Sequence, residues 1–176
     1  MFATIYMPDF FLQAALRHQT IPPATPVALI NETESKPVII QLNQAAEIAG
    51  VRIGMAPNQG LARCLKLLIR TRSAAKEEAL ANLGLQYCFS LSSYVEATAP
   101  GIWTLQFNAT EQVPGKVSGV VQQLRQCELN AKAGIAPTPD LSFLAAHLAE
   151  PVLQIDNPEK FLAPLPVDIL AIPFQT

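Results

Sequence analysis

Leu91–Phe107 reads LSSYVEATAPGIWTLQF: two runs rich in β-branched and aromatic residues, separated by Pro100-Gly101. The runs predict strands over Leu91–Thr98 and Ile102–Phe107, with the Pro-Gly pair as the turn. Upstream, Ser73 to Phe89 predicts a helix, with Ser73 as N-cap and Glu77 and Glu78 in its first turns, where the helix dipole favours acids. Downstream, Val117, Val120, Val121 and Leu124 fall on one face of a helix over Gly115–Glu128. Ala131–Ala136 predicts a further strand. Thr138 then caps a helix over Pro139–Ala149, with proline at its first position.

At the N-terminus, Phe2–Met7 predicts a strand broken by Pro8. Asp9 is placed to cap a helix over Phe10–His18, whose Phe10, Phe11, Ala14 and Ala15 recur at helical spacing. Residues 20–72 have a different texture. Three prolines lie within Ile21–Pro26, and two β-rich runs, Pro26–Ile30 and Pro37–Leu42, flank the polar stretch Asn31–Lys36. Asn43 caps a short helix, Gln44–Ala49, closed by Gly50. A second helix runs from about Pro57 to Cys64, and Leu67–Arg70 is a short strand. The tail adds a strand (Val152–Ile155), a helix (Pro158–Leu162) and a proline-rich end.

With 20–72 set aside, the core of the element order is a split βαβ. The expected fold is therefore α/β (α+β), a ferredoxin-like sheet over residues 1–19 and 73–176, with 20–72 as an inserted lobe.

The 176 residues are half apolar with a net charge of −2, so a core can be buried and a strongly basic nucleic-acid grip is disfavoured. Cys64, Cys88 and Cys127 lack metal-site or disulfide-framework spacing and read as buried apolar residues in a reducing compartment. No apolar run reaches the ~20 residues of a membrane span, and MFATIYMPDF has no signal-peptide pattern. The expectation is a soluble, cytoplasmic protein.

Paired carboxylates for metal-assisted phosphoryl transfer are missing from the pattern. Asp9 and Glu96 are the only acids near expected strand ends, and they read first as a cap and a strand residue. His18 and His147 are isolated, with no G-x-S-x-G elbow. Gly50-Val51-Arg52-Ile53-Gly54 is not a phosphate loop, and Gly134-Ile135-Ala136 is a generic anion-friendly approach to a helix. Arg63, Lys66, Arg70 and Arg72 form a modest basic cluster that reads as a solvated face or as contacts to a phosphate backbone. Trp103 and Phe107 are the candidates for an exposed apolar partner surface.

Five segments together resemble Y-family (lesion-bypass, DinB/UmuC-like) DNA polymerases. Tyr6-Met7-Pro8-Asp9-Phe10-Phe11 resembles the opening D-M-D-x-F-F, and Gly50-Val51-Arg52-Ile53-Gly54-Met55 resembles G-V-R-x-G-M. Ala62-Arg63-Cys64 with Leu67-Leu68-Ile69 resembles A-x-C-P-x-L-V, and Ser93-Tyr94-Val95-Glu96 lies where the family has S-x-D-E. Gly134 to Pro151 is similar, without a gap, to G-I-A-x-N-K-x-L-A-K-x-A-S-x-x-x-K-P.

The resemblance implies a polymerase palm with an inserted fingers-like lobe, and it implies which positions have changed. The metal-binding acids of the family are Tyr6, Pro8 and Val95 here, with Glu96 retained. The triphosphate-contacting Y-x-x-R aligns with Gln44 and Glu47, and two phosphate-facing lysines align with Pro139 and Phe143. Phe11 matches the aromatic beside the incoming sugar and is expected to pack in the core.

The closest likeness is to the ImuB-like group, which has lost catalytic residues. The resemblance therefore implies no enzyme, no metal, no cofactor and no nucleotide site. It implies an accessory in DNA-damage tolerance (translesion synthesis, the SOS response). Its partners would be a RecA-like protein, an error-prone polymerase subunit and the sliding clamp, with DNA contact weak or indirect. The thumb and little finger are expected to be absent from this chain. Two other readings stay open: a magnesium-dependent nucleotidyl transferase with an unusual site around Asp9 and Glu96, and an unrelated α/β binding module.

Overall fold

A computed structural model describes residues 1–22, 24–32, 36–108, 112–166 and 169. Thr33–Ser35 of the expected turn, and the chain from Leu170, lie outside the described residues. The chain forms two compact units, Met1–Pro8 with Ala81–Thr176, and Asp9–Leu80.

The first unit is built on a five-stranded sheet. Its strands are β1 (Phe2–Tyr6), β5 (Tyr94–Ala99), β6 (Ile102–Gln106), β7 (Lys132–Ala136) and β8 (Val152–Gln154), in the order β5-β6-β1-β7-β8. β1 lies at the centre and runs antiparallel to β6 and β7, while β8 joins parallel to β7. This is the ferredoxin-like order expected from the hairpin at Pro100-Gly101, with β8 added at one edge.

Strand alternation sorts the sheet's two faces. Ala3, Ile5, Trp103, Leu105, Ala133 and Ile135 are all buried on one of them. Helix α5 (Val113–Gln126) buries Val117, Val120, Val121 and Leu124 and packs against β7 and β8. On α4 (Ala74–Phe89), Gly84 has no Cβ because the Trp103 indole occupies that space. On the opposite face, α6 (Pro139–Leu148) lies across β1 and β7. Gly134 permits this approach: a Cβ there would meet the backbone of Ser142, Ala145 and Ala146. The contact also seats Ser142 Oγ 2.8 Å from Thr4 Oγ1, both fully buried; Ser142 donates to the Pro139 carbonyl and accepts from Thr4.

The second unit holds a three-stranded sheet in the order β3-β2-β4, from β2 (Val27–Ile30), β3 (Ile39–Leu42) and β4 (Leu68–Thr71). The expected hairpin is present as antiparallel β2–β3, and β4 adds to β2 in parallel. Ala28, Ile30, Ile39, Val51 and Leu67 make its small core. Around the sheet stand α1 (Phe10–Leu16), α2 (Gln44–Ile48) and α3 (Pro57–Arg63). Asn43 caps α2 as expected, its Oδ1 accepting from Ala46 N at 3.0 Å. A last helix, α7 (Pro158–Leu162), belongs to the first unit.

Three expectations are corrected. Asp9 stands at the N-cap position of α1, but in the left-handed region (φ 51°, ψ 41°) with no side-chain cap bond. Trp103 is buried at 1% exposure, because it sits on the core face of β6, so it is not a docking residue. Of the cysteines expected to be buried, Cys127 is exposed, and only Cys88 is fully enclosed, its thiol pushed up to about 12 by burial.

Candidate functional site

In the first unit, the positions where the sequence departs from metal-binding acids lie on β1 and β5. Tyr6 ends β1 and pairs across the sheet with Ile102 and Lys132. Its ring stacks on His147 at 4.2 Å between centroids, and Phe143 closes on the same imidazole at 4.4 Å. The imidazole is fixed by its own helix, Nδ1–H donating to the Phe143 carbonyl at 2.9 Å. Tyr6 and Phe143 are thus brought together through a histidine that the motif comparison had left isolated.

Burial lowers the His147 pKa; its bond to the Phe143 carbonyl opposes this in part, and the nearby Lys132 charge adds a smaller lowering. A lowered histidine pKa means that the folded state prefers the neutral ring. The unfolded chain binds the proton first as pH falls below its ordinary 6.5, so stability present above that pH is lost below it. The denaturant midpoint is therefore expected to drop between pH 7.5 and 5.5, and to drop less in His147→Phe. Equal drops in both proteins would show that the stack carries no such linkage.

Glu96 lies elsewhere on that face. It pairs with Thr104, which pairs in turn with Thr4, one row from Tyr6. It is exposed at the mouth of a groove of about 290 Å³, lined also by Phe2, Tyr94, Thr104, Gln106 and Pro139. Val95 alternates to the other face, in register with buried Leu105 and Ala3. Pro139 opens α6, and Pro8 follows β1 as its chain break.

This donor set does not fit magnesium. The ion takes hard oxygen ligands in a near-octahedral array, and a stacked phenol, a proline and an isopropyl group offer no carboxylate. Among the described residues, no group of three or more His, Cys, Asp or Glu converges.

In the second unit, Phe11 is buried in α1, as expected of a core aromatic. Its ring carries the Arg72 guanidinium 3.8 Å from the centroid. Arg72 also makes a two-pronged bond to Glu77, at 2.9 and 2.8 Å. Arg70 donates to Gln19 at 3.1 Å and to its neighbour's carbonyl at 3.2 Å. Two of the four candidate cations are therefore committed inside the unit. Arg63 and Lys66 are exposed, and Arg63 borders a shallow depression of about 530 Å³ with Met55, Gln59 and Ala62. Gln44 and Glu47 lie on the exposed side of α2.

Against this geometry, the sequence profile of the impB/mucB/samB family matches residues 5–147. The chain belongs to that family. No curated protein matches in sequence.

Among solved structures, the family fold is close. An insertion ternary complex of Dbh DNA polymerase matches with a TM-score of 0.82 at 17% identity, over 96% of this chain and 53% of that one. A Y-family DNA polymerase chimera built on Dbh gives 0.80 at 17% identity, over 96% and 53%. DinB from Sulfolobus solfataricus gives 0.71 at 17% identity, again over 96% and 53%. The chain spans about half the length of these relatives.

The chain is thus a Y-family polymerase-like domain of the impB/mucB/samB family, a class tied to DNA-damage tolerance and translesion synthesis. Membership corrects one expectation. The missing carboxylates do not set the chain apart as a non-enzyme, because its family and its structural neighbours are DNA polymerases. Among the described residues, no helix is long and apolar enough to cross a membrane.

Proposed function

We propose that the chain is the palm-like and fingers-like part of a damage-tolerance polymerase that engages primer–template DNA. The family match over residues 5–147 is the observation that carries this reading. The exposed pair Arg63 and Lys66 supplies its phosphate contacts. The finer assignment we favour is the ImuB-like group, supported by the replacements Tyr6, Pro8 and Val95. With it come a cytoplasmic setting in the SOS response and work beside a RecA-like protein, an error-prone polymerase subunit and the sliding clamp.

Arg70 and Arg72 are held by internal partners, so the phosphate contact is small and its affinity modest. Each cation that neutralises a phosphate releases condensed counterions, so binding weakens steeply with salt. The double reversal Arg63→Glu/Lys66→Glu is expected to lower affinity for a labelled primer–template by at least tenfold at 50 mM salt. Fluorescence anisotropy reads the change. An unchanged affinity would remove these two residues from the DNA contact.

A further inference from the structure

A cavity of about 440 Å³ in the second unit is lined by Asp9, Leu42, Glu47, Val51, Arg52 and Ile53. Two carboxylates share it, and neither is paired. The one ion pair among the described residues joins Arg72 to Glu77. Arg52, which also lines the cavity, spends its Nη1 donors on the carbonyls of Glu47 and Val51, at 2.7 and 2.8 Å, closing the end of α2. Its charge therefore serves backbone oxygens and makes no ion pair with either acid.

Asp9 is exposed as a residue, yet the cavity wall desolvates its carboxyl and raises its pKa, and the Glu47 charge raises it further. The rest of the lining is apolar. Val51 is buried, whereas Ile53 is 67% exposed, and Ile48 on the neighbouring α2 is 79% exposed. Uncovered aliphatic groups beside two acids that outnumber the single lining guanidinium make an amphipathic cleft of net negative charge.

We propose that this cleft docks a basic segment of a partner protein: an arginine or lysine between aliphatic residues, the cation facing Asp9 and Glu47 and the flanking chains covering Ile53 and Ile48. Charge complementarity selects the occupant. Phosphate is repelled by the same two acids, so the cleft stands apart from the DNA contact at Arg63 and Lys66. A divalent metal lacks ligands, since no three candidate donors converge among the described residues. A bare organic cation leaves the aliphatic rim uncovered, whereas a peptide covers both features at once.

The test uses the 176-residue chain labelled for amide NMR and titrated with acetyl-Leu-Arg-Leu-amide. Saturable shifts at Val51 to Gly54 are expected. The dissociation constant should rise at least tenfold in Asp9→Asn/Glu47→Gln, and severalfold in Glu47→Gln alone, whose exposed side chain leaves the fold intact. The parallel probes are acetyl-Leu-Glu-Leu-amide, guanidinium chloride and magnesium chloride. Equal shifts with the acidic peptide would overturn the proposal. So would equal affinity for guanidinium or magnesium alone, which would mean a simple cation site, or variants that bind like the parent.

Discussion

Gly134→Ala is expected to destabilise the protein by about 3 kcal/mol or more, the upper end of what overpacking costs. The reason is the nature of the obstacle. A Cβ at Gly134 meets the Ser142 carbonyl, the Ala145 carbonyl carbon and the Ala146 amide, all backbone atoms of α6. A side chain could rotate away, but a helix backbone can only translate.

Moving α6 off β7 also breaks the buried Thr4–Ser142 hydrogen bond and disturbs the Tyr6–His147 stack. For a domain whose whole stability is on the order of 5–15 kcal/mol, the loss is large. Urea denaturation followed by circular dichroism measures it. A midpoint unchanged within experimental error would mean that α6 does not lie against β7 at this distance.

Trp103→Ala is expected to cost about 3–5 kcal/mol, as for other large-to-alanine truncations in a core. Trp103 is 1% exposed and heads the fully buried side chains by volume. Its indole fills the space that Gly84 leaves open on α4. The two positions are coupled, which sharpens the test. Gly84→Ala alone drives a methyl into the ring. In the Trp103→Ala background the same methyl enters a vacated space and gains up to about 1 kcal/mol of helix propensity over glycine. The interaction term of this double-mutant cycle is expected to be large and to reverse the sign of the Gly84→Ala effect. Additive losses would mean that the indole does not occupy that slot.

Much of the fold was legible because local signals agreed with one another. The turn at Pro100-Gly101, the valine stripe of α5 and the Thr138 cap before Pro139 mark the type and order of β5, β6, α5 and α6. What was not legible was long-range. Gly134 was read as part of an anion-friendly approach, while its structural role is the close passage of α6. A glycine inside a strand pattern is the local mark of such a close backbone approach.

Asp9 had the residue type of a cap but not the backbone for one. It takes the left-handed conformation within the turn at Pro8-Asp9, a region that aspartate enters more readily than most residues. Arg72 was counted as a surface cation. Its partners Phe11 and Glu77 come from α1 and α4, and only folding places them together. The Asp9–Glu47 cleft was invisible for the same reason, since its two acids stand 38 positions apart in the sequence.

The strand positions that depart from the family acids also look coherent once folded. Val95 joins a buried row with Leu105 and Ala3, and Tyr6 joins an aromatic stack with His147 and Phe143. A carboxylate at Val95 would meet a desolvating core, and one at Tyr6 would forfeit the aromatic stack. The replacements convert that strain into packing, so the palm-like sheet stays well made while its donor set no longer suits magnesium. Family membership, with a fold shared with DNA polymerases, makes contact with DNA the point on which the functional reading rests.

The most direct measurement is a titration of a labelled primer–template with the chain at several salt concentrations between roughly 50 and 200 mM. Saturable binding is expected, its logarithmic affinity falling against log salt with a slope of about −1 to −2, the value for one to two neutralised phosphates. Absence of saturable binding at the lowest salt, or a slope near zero, would contradict the functional reading.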